Sequence, residues 1–237
     1  QLFLLPAGLG FEQAAGLPAV FFTAFHALFQ NIIVRANMKV LVHSAAGGVG
    51  TALLQLLRII GCEVVGVVGA GHKVEVARRF GAGVVIDKSR EPLWPRAKEL
   101  APDGYDLILD GNGPATLRQG YAHLRPVGKL VAYGFHSMFS RRGGFPNYAK
   151  LAVAYLRMPR FHPLDMVNDN RSVICFNLSF LFDRADLLRE GADKLAKWLA
   201  SGQLKPLDVA TYPIEKTADA HRALESAQTT GKLVLTL

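Results

Sequence analysis

The sequence predicts an α/β fold in which a doubly wound parallel sheet carries helices on both faces. Two observations lead to this prediction. Short, continuous apolar runs, typical of strands that are buried on both faces, alternate along the chain with helical patterns and glycine-bearing connections. One of these strand–helix junctions contains the glycine-rich turn Ala45-Ala46-Gly47-Gly48-Val49-Gly50.

The glycine turn lies between a short apolar run, Val40–Val42, and an amphipathic helical pattern that begins at Thr51 and ends at Gly61. The missing side chain at Gly47 lets the backbone approach a pyrophosphate, and Gly50 lets the helix pack closely on the strand. The unpaired N–H groups at the start of such a helix point at the anion. Tight turns without a ligand also use glycine, but the position of this turn between strand and helix favours a dinucleotide site on a Rossmann sheet.

The other predicted elements follow from the same two patterns. Apolar runs predict further strands at Cys62–Ala70, Val84–Asp87, Tyr105–Asp110, Lys129–Tyr133, Val173–Leu178 and Lys232–Leu235. Helices are expected at Leu17–Phe29, Arg96–Leu100 (delayed by Pro92 and Pro95), Asp183–Ser201 (with Asp183 as its N-cap) and Lys216–Gln228. Ligands of such sheets bind beyond the carboxyl ends of the strands, at Ser44–Gly50, Gly69–Lys73, Asp110–Gly113 and Tyr133–His136.

Composition and charge restrict the partners of the chain. Its 237 residues carry a net charge of +8, which favours an anionic partner: nucleic acid, a phosphorylated cofactor or anionic lipid. The basic residues are scattered along the chain, so we predict no nucleic-acid binding. The pattern of the seven His and two Cys predicts no metal site. Cys62 and Cys175 are expected to be buried, reduced thiols of a cytoplasmic protein.

The segment after the second predicted strand indicates which dinucleotide is preferred. An NAD-selective site would place Asp or Glu there to hold the ribose hydroxyls. Here the chain reads Gly69-Ala70-Gly71-His72-Lys73, which offers no carboxylate, whereas Lys73 can meet a 2′-phosphate. The sequence therefore predicts NADP(H) as the cofactor. The alternative is that Lys73 merely starts an exposed helix.

Residues 137–171 interrupt the strand–helix rhythm with an apolar and basic run, NYAKLAVAYLRMPRF. Three interpretations stay open for this run. It covers the ligand cleft as a lid, it makes a peripheral membrane contact with anionic lipid through Lys150, Arg157 and Arg160, or it packs against a partner, which is the commoner fate of such a stripe.

The ordered set of segments resembles the medium-chain dehydrogenase/reductases, and most closely their zinc-independent quinone oxidoreductase branch with its vesicle amine transport protein-like members. The segments that carry the resemblance are LPAGLGFEQAAGLPAVFFTAFHAL, VHSAAGGVG, FGAGVVID, LDGNG, GKLVAYGF, SGQLKPLDVATYPIEKTADAHRALES and GKLVLTL. In zinc-dependent members a zinc ligand lies four residues before the threonine that corresponds to Thr23. That position is Ala19 here, so the resemblance implies a zinc-free protein.

The resemblance also implies a division of the chain. Members of the family have an N-terminal GroES-like catalytic domain and a Rossmann domain, and this chain begins roughly where the first domain would end. Residues 1–16 are then a remnant of the catalytic domain, and residues 17–182 form the dinucleotide-binding domain. Residues 183–237 would return to the catalytic domain.

The activity implied by the resemblance is hydride transfer from NADPH to a small-molecule carbonyl or quinone substrate, such as an α,β-unsaturated ketone. It assigns the pyrophosphate to Ala45, Gly47, Gly48, Val49 and Gly50, the 2′-phosphate to Lys73, and the nicotinamide half to Thr23, Asn112, Gly134, Phe135, Phe176 and Asn177. Lys88 departs from the family, in which a tyrosine often lies against the adenine at this position. The sequence identifies no catalytic acid.

Two further expectations concern assembly and function class. The resemblance implies a homodimer through the edge of the sixth strand. The alternative to an oxidoreductase is an NADP-binding regulatory or membrane-associated module without independent catalysis.

Overall fold

The computed structural model describes residues 8–136 and 148–237. A six-stranded parallel sheet in the order β3-β2-β1-β4-β5-β6 forms its centre, and a separate pair of parallel strands, β7 and β8, lies near the C-terminus. The six strands of the sheet are β1 Lys39–Val42, β2 Glu63–Val68, β3 Val84–Asp87, β4 Tyr105–Asp110, β5 Leu124–Ala132 and β6 Ser172–Cys175, and the pair is β7 Val209–Pro213 and β8 Lys232–Thr236.

Helices connect the strands of the sheet and flank it on both sides. Their bounds are α1 Phe11–Ala15, α2 Pro18–Phe25, α3 Gly48–Ile60, α4 Val74–Phe80, α5 Leu93–Leu100, α6 Leu117–Ala122, α7 Tyr148–Leu156, α8 Pro163–Asp169, α9 Ala185–Ala200 and α10 Thr217–Glu225. Helix α2 continues as a π-helical turn over His26–Gln30, so the predicted helix Leu17–Phe29 is confirmed.

The core confirms that the sheet is wound on both faces. Along β1, Val40 and Val42 pack into one apolar cluster with α2, α3, α4 and α9, whereas Leu41 packs into a second cluster with α5 and α6. The same alternation recurs in β4, where Leu107 belongs to the first cluster and Ile108 to the second. A strand buried on both sides has no polar face, which explains the continuous apolar runs of the sequence.

The glycine turn shows why this junction tolerates few other residues. A Cβ atom at Gly50 would lie 2.2 Å from the Ser44 carbonyl oxygen, so α3 can approach the end of β1 only with glycine there. Gly61 ends α3 in the left-handed region, at φ 86°, and its N–H bonds to the Leu57 carbonyl at 3.0 Å. The predicted close packing and the predicted helix end are both confirmed.

Several predicted boundaries are wrong. Strand β5 begins at Leu124 and not at Lys129, and helix α10 ends at Glu225 and not at Gln228. Helix α5 begins at Leu93 and includes Pro95, because a proline in the first turn removes only an N–H that has no partner within the helix. Helix α9 begins at Ala185 with Arg184 at its N-cap, so Asp183 lies outside the helix. Strand β6 ends at Cys175, and the chain then turns into a short 3₁₀ helix, Leu178–Leu181.

The cysteines also differ from expectation. Both are free, but Cys175 is exposed, because it ends the strand at the border of the sheet. Cys62 lies just before β2 and is half-buried. The prediction that both thiols are buried is therefore wrong.

The C-terminal part of the chain contacts the sheet and its helices at several places, of which two matter most here. Helix α9 packs against α2 and the π-helical turn that continues it, where Trp198 contacts Phe29 with ring centroids 5.6 Å apart. The segment before β8 reaches the glycine turn, where the Gly231 N–H bonds to the Ala46 carbonyl at 3.3 Å. This second contact brings residues from the end of the chain to the carboxyl edge of the sheet.

The predicted lid or lipid-binding stretch is described only in part. Residues 137–147, with Arg141 and Arg142, lie outside the described residues, as does the side chain of Lys150. Among the described residues of α7, Tyr155 and Leu156 are exposed. Within residues 8–136 and 148–237, every helix is too short or too polar to cross a bilayer.

Candidate dinucleotide site

A cavity of about 380 Å³ opens at the carboxyl edge of the sheet, where the chain reverses its direction of winding between β1 and β4. Open α/β sheets bind ligands at this kind of switch point. Its lining comes from the segments that follow β1 to β5 and from the C-terminal segment 224–229. The sequence predicts a role for the strand ends but not for the C-terminal segment, because the position of that segment depends on contacts between residues more than 150 positions apart.

The glycine turn forms the floor of this cavity. Gly47 is the N-cap of α3, and no side chain caps the helix. The N–H groups of Gly48, Val49 and Gly50 belong to the first turn and have no acceptor within the helix, because the first intrahelical bond runs from Thr51 to the Gly47 carbonyl. The first turn of α3 thus presents backbone N–H groups and the positive end of the helix dipole to an anion.

A network of hydrogen bonds fixes the opposite side of the cavity. The buried Asp110 carboxylate accepts bonds from the Asn112 and Gly113 N–H groups at 2.6 and 3.1 Å, and from the Thr116 hydroxyl at 2.6 Å. The Asn112 side-chain oxygen in turn accepts a bond from the Ser44 hydroxyl at 3.0 Å. Asp110 therefore caps the turn after β4, and this turn positions the Asn112 amide in the cavity wall.

Two buried titratable groups lie close to this network. His43 Nε2 lies 3.9 Å from Asp110 Oδ2, and burial lowers the pKa of the imidazole despite the opposing effect of the carboxylate. Burial, with a smaller contribution from Asp110, raises the pKa of Tyr133, so its hydroxyl keeps its proton. The His43 imidazole is therefore neutral and lies outside the cavity lining, whereas the neutral Tyr133 phenol is part of the lining.

The corner beyond β2 and β3 is basic. Lys73 and Lys88 line it, and none of the described residues that line the cavity is acidic. Lys73 Nζ donates a hydrogen bond to the Ala227 carbonyl at 2.7 Å, and His72 Nε2 lies 3.0 Å from the Gln228 carbonyl oxygen. The corner suits a phosphate, and none of the described lining residues offers a carboxylate to the free hydroxyls of an NAD ribose.

The structure brings together half of the residues assigned from the sequence. Those that line the cavity are Gly47, Gly48, Val49, Gly50, Lys73 and Asn112. The remaining six lie outside the lining: Thr23, Ala45, Gly134, Phe135, Phe176 and Asn177. The roles given to all twelve stay predictions.

Local contacts account for several of the positions outside the lining. The Thr23 hydroxyl donates to the Ala19 carbonyl at 2.6 Å, within its own helix. Ala45 is buried, and its N–H bonds to the Val67 carbonyl at 3.0 Å. The Asn177 side chain accepts a bond from the Ser179 N–H at 3.0 Å, and the Phe176 ring packs edge-on against His26.

Metal binding has no support in the described part of the chain. Within residues 8–136 and 148–237, no group of three or more His, Cys, Asp or Glu side chains could hold an ion. Strand order and a glycine-lined cavity at the switch point instead define a protein of the Rossmann class.

Comparison with known proteins identifies the family. The sequence profile of the family described as zinc-binding dehydrogenase matches residues 80–235. The VAT-1 homolog of Danio rerio, a synaptic vesicle membrane protein, is 33% identical over 234 residues, or 99% of this chain and 48% of that protein. This chain therefore belongs to the zinc-binding dehydrogenase family, within the medium-chain dehydrogenase/reductases that the sequence resembles.

Solved structures support the same relationship. The quinone oxidoreductase of Thermus thermophilus, whose complex with NADPH is known, has a TM-score of 0.81 at 29% identity. Escherichia coli quinone oxidoreductase complexed with NADPH has a TM-score of 0.79 at 27% identity. Each matches 99% of this chain, which spans 69% and 68% of the two proteins. The predicted quinone oxidoreductase-like branch is confirmed, and this chain spans about half the length of its zebrafish relative.

Proposed function

We propose that this chain binds NADPH as the cofactor domain of a zinc-independent oxidoreductase, whose acceptor is a quinone or an α,β-unsaturated ketone. The observation that carries the proposal is the cavity at the switch point, which combines the backbone N–H groups at the start of α3 with two lysines and, among the described lining residues, no carboxylate. Those features match the pyrophosphate and the 2′-phosphate of NADPH respectively.

Each part of the cavity has a task in this proposal. The N–H groups of Gly48, Val49 and Gly50 bind the pyrophosphate, and Lys73 binds the 2′-phosphate. Asn112, held by Asp110 and Ser44, orients the nicotinamide half. Bound there, NADPH supplies the hydride, while the protein positions it.

The relatives of this chain support a quinone or a small carbonyl compound as the acceptor of the hydride. Quinone oxidoreductases are among the proteins that this chain matches, and two of them are known with NADPH. Because the chain spans only part of these proteins, we assign turnover to the whole protein and cofactor binding to this chain. The acceptor is then a small carbonyl compound or quinone that binds next to the nicotinamide.

Calorimetric titration with NADPH and, separately, NADH tests the proposal. We expect NADPH to bind at least about tenfold more tightly than NADH, because a charge-assisted contact to the 2′-phosphate contributes about 1.5 kcal/mol or more. Equal binding of the two would remove the NADP preference and keep the dinucleotide site. Binding of neither would contradict the proposed function.

A second candidate function is that of an NADP-binding module at a membrane surface, without catalysis of its own. It is favoured by the exposed Tyr155 and Leu156 of α7, which the exposed Arg157 and Arg160 follow. Co-sedimentation with anionic vesicles at moderate salt separates the two candidates. If the chain stays in the supernatant while NADPH binds, the membrane candidate is removed.

Two further proposals concern the state of the protein. We infer a homodimer through β6, which ends the strand order of the sheet and can pair with a second copy along its outer edge. Sedimentation velocity on the wild-type chain tests this, and a monomer at micromolar concentration would contradict it. We also propose a cytoplasmic location for the protein, because this chain is similar to NADPH-dependent enzymes.

A further inference from the structure

Lys88 occupies a fixed place beside the basic corner. It directly follows β3, and its N–H bonds to the Val68 carbonyl at the end of β2, at 3.1 Å. The register of the two strands pairs Val68 with Asp87, so Lys88 begins the segment that leaves the sheet next to Gly69. A Cβ atom placed on Gly69 would lie 3.6 Å from Lys88 Cε, which shows that the lysine stem lies over this glycine.

The charges around this corner favour an anion. Lys73 and Lys88 both line the cavity, one from the segment after β2 and one from the segment after β3. The neighbouring acid, Asp87, is buried, and its Oδ1 accepts bonds from the Ser89 N–H and hydroxyl at 3.0 and 2.6 Å. Its Oδ2 lies 3.5 Å from Arg90 Nε, so a third cation partly neutralises it.

We propose that Lys88 is a second phosphate-binding cation, which contacts the 2′-phosphate of NADPH together with Lys73 and strengthens the preference for NADPH over NADH. This inference rests on the proposed function. A phosphate dianion presents three oxygens, enough for two ammonium groups, and the Lys73 ammonium can keep its bond to Ala227 because it has three donors.

The test compares single variants in calorimetric titrations with NADPH and NADH at moderate salt. Lys88→Gln removes the charge at an exposed position, and Lys88→Arg keeps the charge. Lys197→Gln, an exposed lysine of α9 outside the cavity lining, is the matched control. We expect Lys88→Gln to weaken NADPH binding by about tenfold and NADH binding by less than about twofold. Lys88→Arg and Lys197→Gln should stay within about threefold of the wild type.

The outcomes separate this inference from the proposed function. If the wild-type chain prefers NADPH and Lys88→Gln leaves that preference unchanged, or weakens both dinucleotides equally, the role of Lys88 is overturned and the proposed function stands. If the wild-type chain binds neither dinucleotide, the proposed function fails and the role of Lys88 fails with it. Loss of the preference in Lys88→Gln together with its recovery in Lys88→Arg supports the inference.

Discussion

Gly50 is the residue whose replacement by alanine should cost the turn most. A Cβ atom there would lie 2.2 Å from the Ser44 carbonyl oxygen and 2.8 Å from Ala45 Cα, and backbone atoms cannot move aside without displacing α3 from β1. We predict that Gly50→Ala lowers the free energy of unfolding by about 3 kcal/mol in urea denaturation. Gly83→Ala is the matched control, because its nearest contact is an ordinary 3.6 Å; its effect should stay within about 0.5 kcal/mol. Equal effects would contradict the packing argument.

His43 should make stability depend on pH. Burial lowers the pKa of its imidazole from 6.5, so the unfolded chain takes up a proton near pH 6.5 that the folded chain takes up only at lower pH. The free energy of unfolding therefore falls as pH drops below 6.5, by at most about 1.4 kcal/mol per pH unit. Urea denaturation between pH 7.5 and 5 should show this slope in the wild type and in His221→Asn, whose histidine is exposed. His43→Asn should lose it, and an unchanged slope in that variant would refute the assignment.

At the scale of elements, the connection from β4 to α6 depends on one carboxylate. Asp110 accepts three hydrogen bonds. An asparagine at this position would remove the charge that strengthens the bonds from Asn112 and Gly113, and it would place an NH₂ group where an oxygen accepts from the Thr116 hydroxyl. We predict that Asp110→Asn lowers stability by about 2 kcal/mol and weakens NADPH binding, because Asn112 loses its anchored position. The exposed turn residue Asp103 provides the control, Asp103→Asn, with little effect on either quantity. Unaltered NADPH affinity in Asp110→Asn would show that the turn is positioned by other contacts.

The segment between α10 and β8 forms a wall of the cavity, and Gly231 holds it there. Gly231 has φ 65°, and a Cβ atom would lie 2.2 Å from the Asp208 carbonyl oxygen. Gly231→Ala should displace the segment from the glycine turn and weaken NADPH binding by about fivefold in calorimetry. Gly202→Ala is a close control, because Gly202 also has a positive φ, 73°, but open space around it. If the two variants bind NADPH alike, the segment does not contribute to the site.

For the molecule as a whole, local sequence patterns predicted the strands of the sheet, but they did not predict two helix starts or the exposure of Cys175. Apolar runs predicted β3 and β4 with the bounds that the structure shows, because strands buried on both faces leave a signal that needs no tertiary context. The starts of α5 and α9 were misplaced, since Pro95 and Asp183 each fit more than one position near a helix start. The exposure of Cys175 depends on its place at the border of the sheet, which composition does not reveal.

The parts of the site that lie within one short segment of the chain could be predicted from the sequence. The glycine turn and Lys73 are of this kind, and both line the cavity. Residues 224–229 and the neutral His43 were missed, because the first depend on a long-range contact and the second on burial beside Asp110. The strand order places these groups at one edge of the sheet, so the site belongs to the fold rather than to any single motif.

NMR titration of the isotopically labelled chain shows whether NADPH binds in the cavity at the switch point. We predict that NADPH shifts the backbone amide resonances of Gly48, Val49 and Gly50 first, together with those of Lys73 and Asn112, while the amides of β7 stay unchanged. Saturable shifts confined to those residues would place NADPH in this cavity. Shifts centred elsewhere, or none at millimolar NADPH, would contradict binding there.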